Sequence, residues 1–311
     1  MKKITALALI AILLLAVGFG CGGKPNLSKL SAQELFTLGK AKYDNKKYVS
    51  SIDYFQTLVY NYPGESIVDT AQYYLALSYY GEKEYELAQV EFNRLVVNYP
   101  SSTYFEHALF MKAVSFYEGT PKHFGLDQTD LYTAIRQFED FIIDYPESVL
   151  VEDCKKYLNI AHTRLAHKFY NSAEVYERIG TFKSAQIYYQ KVIDDYIDTE
   201  YAAPSTFGVG NMLFRQRKFD EAKTKLNDFI TVFPESELVP KAHELLEKAA
   251  YLEAEDAYNK AEYEKAAKLL TAFIAQYPEN DKVKDANKYL LKIGNLKDSP
   301  KPDENNASQE G

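Results

Sequence analysis

The chain has 311 residues, 46% of them hydrophobic and 26% charged, which excludes a disordered polypeptide and gives length for one or two domains. Its 14 Gly and 11 Pro leave too few turns for a sandwich or barrel of many short strands, so long helices are expected. A formal net charge of −8 argues against a nucleic-acid partner, and two cysteines cannot form a disulfide scaffold.

Residues 1–20 begin with the basic head Met1-Lys2-Lys3, continue through an apolar run from Ile4 to Val17, and end in Gly18-Phe19-Gly20, two small residues around a bulky one. The run is short for a membrane span, which needs about 20 residues, and the order of parts is that of a secretory signal. Cys21 follows directly, so the segment resembles a bacterial lipoprotein signal, which implies acylation of the Cys21 thiol and cleavage before it. Two or three acyl chains hold a protein stably on a bilayer. Gly22, rather than Asp, follows the cysteine and favours sorting to the outer membrane. Residues 21–31 then form a lipidated tether. Cys154 sits within a helical pattern and reads as a small buried apolar residue.

From residue 32 the chain repeats itself. Tyr62-Pro63, Tyr99-Pro100, Tyr145-Pro146, Phe233-Pro234 and Tyr277-Pro278 mark five copies, and Tyr196-Ile197 marks a sixth without its proline. Upstream of each stands a small residue, in order Ser51, Ala88, Ala134, Ala185, Ala222 and Ala266. Another small residue precedes each of these, at Gly39, Ala76, Ala113, Ala173, Gly210 and Ala254. This pattern resembles the tetratricopeptide repeat, in which small residues let two helices approach, large ones such as Tyr79, Tyr85 and Phe92 fill the surroundings, and proline stops the second helix. Ser66 with Asp69, and Thr103 with Glu106, are spaced to cap the next helices. The expected fold is therefore all-α, a solenoid of about six tetratricopeptide hairpins.

The spacing along the series from Gly39 to Ala254, 37, 37, 60, 37 and 44, places two insertions. One is a loop over Glu118–Gln128 in the third hairpin. The other lengthens a helix between Glu147 and Ile179, roughly 50 Å at the α-helical rise. The expected organisation is hairpins 1–3 over 32–146, then the long helix, hairpins 4–6 and a capping helix over 147–293, and a disordered tail over 294–311.

Catalysis has no foothold. The five histidines are scattered, and His243 to Glu247 has Glu where a zinc protease helix needs its second His. No catalytic residue, metal ligand or cofactor is expected.

The face of helix A that lines the groove in such arrays carries Gln33, Phe36, Lys40 and Tyr43 in the first copy. It carries Thr70, Tyr73, Leu77 and Tyr80 in the second, and His107, Phe110, Val114 and Tyr117 in the third. Two readings stand side by side. The stripe is an open aromatic trough for an extended peptide, contacted by Phe36, Lys40, Tyr43, Tyr73, Leu77, Tyr80, Phe110 and Tyr117; or the lengthened repeats curl and bury it.

Two further stretches carry a family likeness: Phe124-Gly125-Leu126-Asp127-Gln128-Thr129-Asp130, and Arg164-Leu165-Ala166 followed by Ala173 to Gly180. With the signal and the repeats, they make residues 15–240 resemble the BamD family of outer-membrane protein assembly factors. Tyr196-Ile197 and the sixth hairpin depart from that family's pattern. The resemblance implies a lipid-anchored scaffold on the periplasmic face of the outer membrane. Its partners would be a BamA-like insertase, other subunits of the assembly machinery and unfolded outer-membrane proteins. Arg215 or Arg217 would supply a charge contact to the insertase. The alternative is another periplasmic tetratricopeptide lipoprotein, an adaptor in envelope division or secretion.

Overall fold

The structure, a computed structural model, describes residues 26–298. The signal segment, Cys21 and residues 299–311 of the expected tail lie outside the described residues. Those described form thirteen α-helices and a short 3-10 turn at Leu27–Lys29, with no strand among them.

The helices pair as the repeats require. The first hairpin is α1 (Ala32–Asp44) with α2 (Tyr48–Asn61), the second α3 (Val68–Gly81) with α4 (Tyr85–Asn98), and the third α5 (Phe105–Gly119) with α6 (Thr129–Asp144). The long α7 (Val151–Arg178) leads into α8 (Phe182–Asp195), and α9 (Ala202–Arg215) pairs with α10 (Phe219–Val232). The last hairpin is α11 (Val239–Asn259) with α12 (Tyr263–Gln276), and α13 (Val283–Asp298) closes the series. The chain divides into two compact units, one through Leu158 and one from Asn159.

All twelve small residues of the repeat are buried. Their purpose is close approach. A methyl added to Gly39 would sit 3.0 Å from Tyr54 Cβ, and one added to Gly210 only 2.8 Å from Leu226. Ser51 is the one polar member, and it is satisfied: its hydroxyl donates to the Gly39 carbonyl at 3.0 Å and accepts from Ser78 at 3.0 Å. Four and seven residues beyond the small residue of helix B, Phe92 and Leu95 in the second copy and Leu226 and Phe229 in the fifth are fully buried.

Two turns recur in nearly every copy. Between helices A and B, Lys46, Lys83, Gly180, Arg217 and Ala261 adopt left-handed φ between 55° and 79°. The amide after each of them donates to a carbonyl five residues back, as Glu84 does to Tyr79 at 3.0 Å, the bonding of a Schellman turn. Only Gly180 adopts that conformation without the side-chain penalty. After helix B, the aromatic amide closes the last turn (Tyr99 to Leu95, 2.8 Å) and the amide three residues on returns to the aromatic carbonyl (Ser102 to Tyr99, 3.0 Å). The copy lacking proline makes the same bonds, Tyr196 to Val192 and Thr199 to Tyr196. Proline therefore reinforces this turn but does not create it.

Several expectations are corrected. Ser66 and Thr103 do not cap: α3 and α5 begin after Ile67 and Tyr104, neither of which makes a side-chain cap. The first-turn carboxylates instead reach across to the next joint, Asp69 accepting from Ser102 at 2.7 Å and Glu106 from Ser148 at 2.6 Å. Glu247 accepts from Asn280 in the same way at 2.8 Å. The long helix starts at Val151 rather than Glu147, because Ser148 is spent on the post-proline turn. The last helix continues past Ile293 to Asp298. Residues 27–31, assigned to the tether, are folded: Leu27 and Leu30 pack on the first core, and the Leu30 carbonyl accepts from the Tyr62 hydroxyl at 2.7 Å.

Candidate functional site

In the first unit the helix A stripe gathers into two aromatic nests. One centres on Tyr74, which sequence reasoning missed. Phe36 lies 6.1 Å from its ring and Tyr43 5.2 Å, while Lys40 Nζ sits 5.1 Å over the same ring and pairs with Asp44 at 2.6 Å. Rings that meet edge to face in this way gain from quadrupole contact as well as area, and the ammonium adds a cation–π term. The second nest centres on Tyr157, from the first turns of α7. It receives Phe110 at 5.8 Å and Tyr117 at 5.5 Å, and stacks on the buried Phe138 at 5.4 Å. Tyr80 packs against this cluster and meets Tyr85 at 5.4 Å.

Most of these side chains are half-buried, Leu77 included, so the stripe is neither an open trough nor a sealed core. Tyr73 is the exception among the residues assigned to peptide binding. It is 9% exposed and stacked 4.5 Å from Tyr104, which folds over it from the next repeat. Burial, with neighbouring phenols, pushes its hydroxyl up to about 12. Tyr73 is therefore a packing residue, as is Val114 at 1% exposure. At the edges, Gln33 and His107 are exposed.

The two arginines assigned to a partner separate in role. Arg217 occupies the left-handed turn position, and its guanidinium is paired with the Asp256 carboxylate of α11 and lies 5.3 Å over Phe219. It ties the fifth hairpin to the sixth. Arg215 is exposed, its guanidinium 4.7 Å over the Phe182 ring, and it lines a groove of about 750 Å³ with Asn171, Glu174, Glu177 and Arg178. Glu177 is fixed there by the Tyr189 hydroxyl at 3.0 Å and the Asn211 amide at 3.2 Å.

The remaining chemistry is sparse. Cys154 is fully buried, and burial pushes its thiol up to about 12, far from a reactive thiolate. Among the described residues there is no group of three or more His, Cys, Asp or Glu placed to hold a metal ion, and no helix long and apolar enough to cross a membrane.

Compared with known proteins, residues 28–207 match the family model YfiO, described as an outer membrane lipoprotein, and residues 207–236 match a tetratricopeptide repeat model. No curated protein matches significantly. Among solved structures, the TPR2AB domain of yeast Sti1 in its pHSP90 complex is similar at 15% identity, covering 85% of this chain and 98% of that one with a TM-score of 0.38. A TPR repeats protein from Bacteroides fragilis is 13% identical, with 86% and 99% covered and a TM-score of 0.35. A tetratricopeptide repeat protein from Parabacteroides merdae is 12% identical, with 85% and 98% covered and a TM-score of 0.31.

Proposed function

Since the chain belongs to the YfiO family of outer membrane lipoproteins, we propose that it is a lipid-anchored scaffold of the machinery that inserts β-barrel proteins into the outer membrane. Acylated Cys21 would hold it at the periplasmic face. The second unit, through Arg215, would meet a BamA-like insertase, and the aromatic nests of the first unit would receive aromatic-bearing segments of unfolded outer-membrane proteins. The chain would carry out no reaction of its own.

One observation carries the substrate half of this reading. The Tyr74 nest leaves Phe36, Tyr43 and Tyr74 half-exposed on one face, with a lysine among them. Isolated surface aromatics need no explanation, but a cluster of this kind is what an extended apolar segment recognises.

A pull-down with the lipidated chain from detergent-solubilised envelopes tests the proposal. The insertase is expected in the eluate. An eluate that lacks it, from bait that is folded and acylated, would assign the chain instead to another envelope adaptor.

A further inference from the structure

We propose that the groove of the second unit is a receptor for acidic side chains on an extended segment of a partner protein, with Arg178, Arg215 and the Asn171 amide as its donors. The inference deepens the scaffold reading and rests on it for the existence of a protein partner.

The groove holds two donors without an ionic partner. Arg178 and Arg215 are both exposed and line the same groove, yet among the described residues neither makes an ion pair. On a helix, Glu174 and Arg178 stand at the spacing that ordinarily pairs them. Here no such pair forms: Glu174 lies beside the Tyr170 phenol, which burial and then the carboxylate's charge push up to about 12. Glu177 is committed to the Tyr189 hydroxyl and the Asn211 amide. Glu177 is therefore held by a tyrosine and an amide, Glu174 makes no ion pair among the described residues, and both guanidinia are left for something else.

Two further features favour a carboxylate. Phe182 supports the Arg215 guanidinium from one face at 4.7 Å without neutralising it, which orders the fork that reads a carboxylate through paired N–H bonds. Asn171 Nδ2 is buried without an acceptor, a cost that a ligand oxygen drawn into the groove removes. Glu174 and Glu177 in the walls disfavour a dianion such as phosphate, so singly charged groups fit best.

Three labelled peptides titrated into the purified chain by fluorescence anisotropy test this. They are Ala-Glu-Phe-Glu-Ala with both ends blocked, its Gln isostere also blocked, and the Gln isostere with a free C-terminal carboxylate. The Glu peptide is expected to bind about tenfold more tightly than its blocked isostere, the scale of one charge-assisted contact. That advantage should vanish in Arg178→Gln with Arg215→Gln, and in Asn171→Asp, which breaks no bond of the fold. Equal binding of Glu and Gln peptides, or an advantage that survives the double variant, overturns the proposal. So does a preference confined to the free C-terminus, which would make the groove a reader of chain ends. No insertase is present, so this titration and the envelope pull-down fail or succeed separately.

Discussion

The two units share a core and differ in what they present. In both, small residues hold helix A against helix B, and large ones close the space at the same offsets. Phe141 in the first unit and Phe229 in the second each follow the small residue of helix B by seven positions, and each is buried against the aromatic of the next turn, at 5.3 Å from Tyr145 and 6.0 Å from Phe233. The helix A face of the first unit gathers phenyl and phenol rings; the groove of the second gathers Glu174, Glu177, Arg178 and Arg215. Packing fixes the core positions because a change of one methylene is felt there, whereas the face bears no such constraint and can differ between units.

If that division is right, equivalent core residues should cost alike. Phe141→Ala and Phe229→Ala should each destabilise by about 3–5 kcal/mol in urea unfolding, through lost transfer energy and the cavity left behind. A small cost in one unit only would break the equivalence.

A smaller effect separates core from face within the first unit. The folded state raises the Tyr73 phenol from 10.0 to about 12, so it favours the protonated form. The sign follows: that contribution is complete below pH 10 and is lost as pH rises toward 12. Thermal unfolding of Tyr73→Phe should therefore fall less steeply over this window than that of the parent. Identical slopes would return Tyr73 to the exposed stripe.

How much of this was legible in the sequence follows the same line between core and face. The hairpins were, because close approach admits only Gly, Ala or Ser at positions such as Gly39 and Ala88, and steric exclusion leaves a mark that survives in one sequence. The caps were misread: Ser66 and Thr103 have the right spacing, but Asp69 and Glu106 find partners in Ser102 and Ser148, which are distant in the chain and adjacent only once repeats stack. Periodicity placed Tyr73 on the right face without revealing that Tyr104 covers it. Tyr74, one position off the expected stripe, was missed because its ring turns between Phe36 and Tyr43. The polar groove was half seen. Arg215 came from a family likeness, but the i,i+4 spacing of Glu174 and Arg178 would have assigned them to each other, and the structure forms no such pair.

The most direct test of two chemically distinct faces on one repeat core is a titration of a labelled peptide ending in Tyr-Gln-Phe. It would be run on the parent, on Tyr43→Ala with Tyr74→Ala, and on Arg178→Gln with Arg215→Gln, each checked for native helicity. The account predicts about a tenfold loss of affinity in the tyrosine variant, from loss of two aromatic contacts, and parental affinity in the arginine variant. Unchanged binding in the tyrosine variant, or equal losses in both, would contradict it.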